Sequence, residues 1–361
     1  LMGDHIREDI CSRTNLPILM AMELQTEIMA CGEMTIALPK TKTGRIKKEV
    51  VKKLAGGHEH VVADLADIIE KHSHETKGKP PRETRVVLTI DEVALHGADP
   101  ARLRAAAGEA LDEITRLEGM LSHFKPSSEI AHCNSRAAAE PVPVSPEVFA
   151  LLQRCRALTD ETGGAFDITI APLMRCWRFI NDTGAVPTEE EIGEARACVG
   201  MKNVELNEAN FTVRFSRVGV MLDLGSIGKG YALECAAALL AENEFENFLI
   251  HGGTSTICAR GAQADGTPWR VAIEHPAENQ PPLHIVDLRD ESLSVSGIGG
   301  KSFIDAEGHE QGHVIDPRTG HPTRAARVAA VICESATESD AWATALLVEP
   351  GLKTPKGIRV L

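Results

Sequence analysis

Aromatic residues are scarce in this 361-residue chain: one tyrosine (Tyr231), three tryptophans and nine phenylalanines, 4% in all. So few rings argue against a stacking platform for single-stranded nucleic acid, where successive bases lie on aromatic faces. A basic excess is missing too. Asp and Glu number 52 against 38 Lys and Arg, a formal charge of −14, whereas a phosphate-backbone binder needs surplus cations. No nucleic-acid partner is therefore expected. No run approaches the ~20 apolar residues that span a bilayer. The most apolar early stretch, 16–22, is short and contains Pro17. The opening residues, Leu1-Met2-Gly3-Asp4-His5, lack the basic and apolar regions of a signal peptide. None of the nine cysteines forms a Cys-x-x-Cys pair, so zinc-ribbon and thioredoxin-like readings have no support. Scattered and odd in number, they read as buried reduced thiols, which points to a cytoplasmic location.

What is present is ordinary globular material, 43% hydrophobic and 25% charged, enough for a large core. The charged Gly/Pro linker Lys77-Gly78-Lys79-Pro80-Pro81 separates an N-terminal extension, residues 1–79, from a module over 80–361. The extension reads as mostly helical. Its stretch from Lys40 to Lys53 holds seven Lys/Arg against one Glu and reads as a solvated face. A helix is expected over Glu59–Lys71. His58, His60, His72 and His74 read as surface histidines ahead of a metal site.

After the linker, Thr84–Ile90 reads as a strand. Helices follow from Pro100 to about Leu121 behind Asp99, from Pro146 to Thr162 behind Ser145, and over Glu189–Cys198 behind Thr188. Short strands are expected at Val204–Leu206, Thr212–Phe215 and Val218–Leu224. A helix from about Gly230 to Asn243 precedes strands at 248–250, 269–274, 283–288 and 293–296. Strand 326–333 and helix Ser339–Val348 close the pattern. Strands in groups, with helices at irregular intervals, predict an α+β fold of mixed or antiparallel sheets flanked by helices.

Several clusters are rich in Gly, Asp and His. Thr162-Gly163-Gly164-Ala165-Phe166-Asp167 reads first as a glycine C-cap and turn. Asp223-Leu224-Gly225-Ser226-Ile227-Gly228-Lys229-Gly230 enters a helix, where freed amides and Lys229 suit an anion. Its glycine spacing matches neither dinucleotide nor P-loop fingerprints. His251-Gly252-Gly253 and Ser296-Gly297-Ile298-Gly299-Gly300 offer close backbone approach. His313 stands just before the turn Asp316-Pro317-Arg318-Thr319-Gly320. Asp340 and Thr344 are four apart on one helix, a pair of oxygen donors suited to Mg²⁺. On spacing alone, Asp340 reads first as a first-turn helix acid.

In this order, together with Leu121-Ser122-His123-Phe124-Lys125-Pro126-Ser127-Ser128-Glu129, these segments resemble the ApbE family of FAD:protein FMN transferases over about Thr84–Val348. The resemblance implies an enzyme that binds FAD with Mg²⁺, cleaves the pyrophosphate, attaches FMN by a phosphoester to a Thr or Ser of an acceptor flavoprotein, and releases AMP. By family position, Phe124 lies against the flavin. Ala165, Phe166 and Asp167 line the FAD site, and Asp223, Lys229 and Val314 contact FAD. Mg²⁺ is then held by the Ser226 carbonyl and the Asp340 and Thr344 side chains, with His313 or Asp340 as the base for the acceptor hydroxyl. The Met-Gly-Thr stretch that relatives carry before their first strand has no counterpart ahead of Thr84. Two alternatives follow: an FAD pyrophosphatase yielding FMN and AMP, and a non-catalytic FAD-binding assembly factor.

Overall fold

The computed structural model of the chain describes residues 34–37, 85–88, 91–95 and 100–361, apart from 180–183, 254, 277–279 and 299–301. The helix expected over 59–71, the four histidines 58, 60, 72 and 74, the basic stretch, and the Asp99 cap lie outside the described residues. The chain divides into two compact units. In one, β1 (Met34–Ala37) and β2 (Arg85–Leu88) pair antiparallel. The strand expected over 84–90 is thus the partner of β1. The other unit holds residues 91–361.

The centre of that larger unit is a six-stranded sheet in which every pairing is antiparallel. Its spatial order is β15 (Arg359–Val360), β14 (Val328–Cys333), β11 (Glu291–Gly297), β8 (Thr256–Arg260), β7 (Phe248–Gly252) and β3 (Asp91–Leu95). Two helices pack against it: α6 (Gly228–Glu242) over β7 and β8, and α7 (Ala336–Val348) over β11 and β14. They also pack on each other, and α1 (Pro100–Leu121) covers α6. Helix α7 is buried on nearly every side, so Ala341-Trp342-Ala343-Thr344-Ala345-Leu346-Leu347 reads apolar all round and not amphipathic. Smaller elements surround this core. They are α2 (Glu129–Arg136), α3 (Pro146–Glu161), α4 (Ala171–Cys176), α5 (Glu189–Ala197), a β4-β6-β5 sheet (Val142–Pro143, Thr212–Phe215, Val204–Asn207), the β9–β10 pair (Trp269–Ile273, His284–Leu288) and the β12–β13 hairpin (Ser302–Ile304, Glu310–Gly312).

Local chemistry sets the helix ends. Ser145 Oγ accepts the Val148 N–H at 3.3 Å, and Thr188 and Glu191 form a capping box at α5. Helix α7 begins three residues before the expected Ser339. Ser335 Oγ accepts the Glu338 N–H (3.1 Å), while Glu234 of α6 accepts from both Ser335 Oγ (2.6 Å) and the Thr337 N–H (2.9 Å). A side chain from another helix thus supplies part of the cap, and Asp340 falls beyond the first turn. Its reading as a first-turn acid is therefore set aside.

Residues 218–224 also depart from expectation: they form no strand. Gly219 turns the chain at φ +97, and the buried Val220 and Leu222 pack into the core from an irregular segment. All seven described cysteines are free, and five are buried; burial pushes the Cys133 thiol up to about 12.

Candidate active site

The segment leading into α6 is fixed by side chains where a strand would use a ladder. Leu222 N–H donates to Asn134 Oδ1 (2.7 Å), and Asn134 Nδ2 donates back to the Leu222 carbonyl (2.9 Å). Asp223 N–H donates to the Ile168 carbonyl (2.7 Å), joining this segment to the chain just after Ala165-Phe166-Asp167. Asp223 Oδ1 accepts the Gly225 N–H (2.8 Å) and lies 3.4 Å from His123 Nδ1. Burial acts to raise the Asp223 carboxyl, but His123, the Gly225 N–H and the Lys229 charge outweigh it and hold it below its ordinary value.

Asp340 comes to the same place from α7. Its Oδ2 accepts the Gly230 N–H at 3.0 Å, and its Oδ1 lies 3.9 Å from Lys229 Nζ, which also donates to the Gly225 carbonyl at 3.3 Å. The Asp340 side chain is 5% exposed and that of Lys229 44%. Gly230 lies in the first turn of α6, where an N–H has no partner within the helix; Asp340 takes it. The two helices meet so closely that a Cβ on Gly230 would stand 2.1 Å from the Ala336 carbonyl oxygen and 2.9 Å from Asp340 Cβ. Only glycine fits that crossing. One turn on, Thr344 Oγ1 lies 3.4 Å from Ser296 Oγ of β11. Below it, Ser294 and Ser339 share a buried 2.7 Å hydroxyl contact.

The Ser226 carbonyl, the Asp340 carboxylate and the Thr344 hydroxyl are all oxygen donors, the chemistry a hard divalent cation prefers. Among the described residues no three His, Cys, Asp or Glu side chains cluster as a transition-metal site would require.

The model of the ApbE family matches residues 83–359. This chain belongs to the ApbE family. It is 30% identical over 280 residues to a FAD:protein FMN transferase of Klebsiella pneumoniae (strain 342), spanning 74% of this chain and 79% of that one. A second FAD:protein FMN transferase, from Salmonella typhimurium, is 28% identical over 77% of this chain and 80% of its own. Among solved structures, the ApbE protein of Thermotoga maritima superposes with a TM-score of 0.65 at 29% identity, covering 74% of this chain and 83% of that one. Apo flavinyl transferase ApbE of Pseudomonas stutzeri gives 0.65 at 27%, covering 76% and 90%.

The other residues singled out in this ApbE chain fall into three settings. Phe124 is 69% exposed, with its ring centroid 3.8 Å from that of His123. Ala165, Phe166 and Asp167 are buried, so their side chains face the interior. Asp167 accepts from the Thr169 N–H (2.8 Å) and hydroxyl (2.6 Å), and burial raises its carboxyl against those bonds. His313 and Val314 are half-buried before the Asp316-Pro317-Arg318 turn. There the Val314 carbonyl accepts the Thr323 N–H at 2.8 Å, and Asp316 holds the Arg318 guanidinium at 2.8 and 2.9 Å. The structure joins Asp223, Lys229, Gly230 and Asp340 into one locus, with Thr344 one turn along α7 from Asp340.

Sequence reasoning did not single out Asn134, Glu234, Ser294 or Gly230, whose roles are contacts to distant segments. Gly230 alone carried a signal, as the third glycine of a run entering a helix that has no need of it.

Proposed function

We propose that this chain is a Mg²⁺-dependent FAD:protein FMN transferase that attaches FMN through a phosphoester to a Thr or Ser of an acceptor flavoprotein and releases AMP. The observation that carries the reading is the seating of Asp340 at the α6 N-terminus, bonded to Gly230 and 3.9 Å from Lys229. A pyrophosphate brought there meets a lysine and the positive end of a helix. The activity named for the 30%-identical relative supports it.

The Ser226 carbonyl, Asp340 and Thr344 would hold the cation. Bound there, Mg²⁺ supplies neutralisation of charge on the transferring phosphate. The remaining work falls to the chain's own groups. Lys229 balances charge on the pyrophosphate. Phe124 offers its open ring to the flavin, and Asp223 orders the entry to α6 beside the ligand. Ala165, Phe166, Asp167 and Val314 contribute to the FAD site through backbone. His313 takes the proton from the acceptor hydroxyl as that oxygen attacks the FMN phosphorus. The phosphorus–oxygen bond to AMP breaks, and its electron pair leaves with AMP. Asp340, with Oδ2 already committed to Gly230, is assigned to the cation and not to proton transfer.

The test is incubation with FAD, Mg²⁺ and an acceptor domain carrying the target threonine, read as covalent FMN mass on the acceptor. Asp340→Ala should lower the rate by roughly 10²-fold or more, the scale of losing metal-based charge stabilisation. No mass gain on the acceptor would overturn the reading. FMN plus AMP in its place would indicate a pyrophosphatase, and bound but intact FAD an assembly factor.

A further inference from the structure

His123 stands outside the machinery described so far, yet it carries one of the few unsatisfied buried polar atoms among the described residues. Its side chain is 10% exposed, and Nε2 is buried without a hydrogen-bond partner. Such an atom is costly in a folded protein and calls for a cause. The opposite nitrogen is accounted for: Nδ1 faces Asp223 Oδ1 at 3.4 Å. A carboxylate there favours the tautomer that carries its N–H on Nδ1, which leaves Nε2 with a lone pair and no partner. That atom is an acceptor. In that tautomer it suits an N–H or O–H donor.

Its cover is thin. The Phe124 ring lies 3.8 Å from the imidazole, tilted by 41°, and is itself 69% exposed. So little of that ring is buried that turning it aside gives up little packing. On the transferase reading, Phe124 meets the flavin, so the donors brought next to His123 are those of the flavin half of FAD: the ring imide N–H and the ribityl hydroxyls.

We propose that His123 is a ligand-contact residue, oriented by Asp223, whose Nε2 accepts a hydrogen bond from an N–H or O–H of the flavin–ribityl half of FAD once Phe124 turns aside. The inference rests on the transferase reading for the identity of the ligand. It adds a specificity element for a hydrogen-bond donor at this spot.

FMN and ADP, which cannot turn over, separate the two halves of the substrate. Each is titrated calorimetrically into the full chain with Mg²⁺ present, for the parent, H123N and H123Q. Asparagine keeps an N–H near the position of Nδ1 for Asp223 and removes Nε2, whereas glutamine restores a polar atom near Nε2. We expect H123N to weaken FMN about tenfold, the worth of one net hydrogen bond, while ADP stays within about twofold. H123Q should keep FMN within about threefold of the parent. The ligand-free Tm of H123N should hold or rise, because the stranded nitrogen is gone; a merely structural histidine would lower it. FMN binding unchanged in H123N, an equal loss for ADP, or a fall in Tm overturns the assignment. A parent that binds neither FMN nor FAD counts against the transferase reading as well, whereas a binding parent with an unaltered H123N counts against His123 alone.

Discussion

Gly230→Ala tests the apposition on which the site depends. The added methyl would sit 2.1 Å from the Ala336 carbonyl oxygen, 2.8 Å from its carbon and 2.9 Å from Asp340 Cβ. Two of those atoms are backbone of the buried helix α7, so no flexible side chain can yield. Relief requires the helices to part by about 1 Å, and overpacking of this kind costs up to about 3 kcal/mol. Alanine returns about 1 kcal/mol through helix propensity. The net is a loss of about 2 kcal/mol, or roughly 4–8 °C in Tm for a unit of this size. The functional loss should be larger than the stability loss. Parting the helices pulls Asp340 from the Gly230 N–H and from Lys229, and a displacement near 1 Å at a reacting centre is worth about 10²-fold in rate. Gly228→Ala is the control, since its Cβ would meet only Leu224 Cβ at an ordinary 3.8 Å. Thermal melts and the FMN-transfer rate are measured on both variants. If Gly230→Ala melts and turns over like Gly228→Ala, the close crossing is not what positions Asp340, and the reasoning fails.

The pH dependence of stability should carry the mark of Asp223. Its folded carboxyl is held below the ordinary 3.8, so the stabilisation is present above that value and is lost as pH falls through the lower folded value. The Tm gap between the parent and Asp223→Asn should therefore shrink between about pH 5 and pH 2; a gap that widens on acidification contradicts the assignment. Asn134→Ala strands the N–H and carbonyl of the fully buried Leu222, at about 1–3 kcal/mol for each group. It should lower Tm by on the order of 5 °C or more and reduce FMN transfer with it, and an unchanged melt would show that the clamp is dispensable.

The local parts of this fold were legible from residue order. Ser145 before Pro146 and Thr188 before Glu189 placed two helix starts, because a cap is chemistry between near neighbours. Apolar spacing placed α1 and three of the six strands of the central sheet, β7, β11 and β14, but not β3, β8 or β15. The run 218–224 misled for a definite reason. Its apolar residues from Val220 onward are buried, but the backbone partner of Leu222 is the Asn134 side chain, 88 residues away, and no alternation within the run records that. The start of α7 was misplaced for the same kind of reason, since Glu234 sits 101 residues before Ser335.

The sequence by itself determined the family, the α+β class, and the residue types of the site, a lysine at a glycine-rich helix entry and an aspartate four residues before a threonine. Those are properties of short segments, in which spacing along the chain fixes spacing in space. Tertiary structure alone decided what the segments do to one another. Gly230 and Asp340 are 110 residues apart, and only the crossing of α6 and α7 sends a first-turn N–H of one helix to the carboxylate of the other. His123 and Asp223 belong to separate motifs, and their pairing, with Nε2 left unpartnered, exists only because the segment before α6 packs beside the end of α1. Side-chain chemistry is written in the sequence; which distant group will satisfy it is settled by how the helices and the sheet exclude water together.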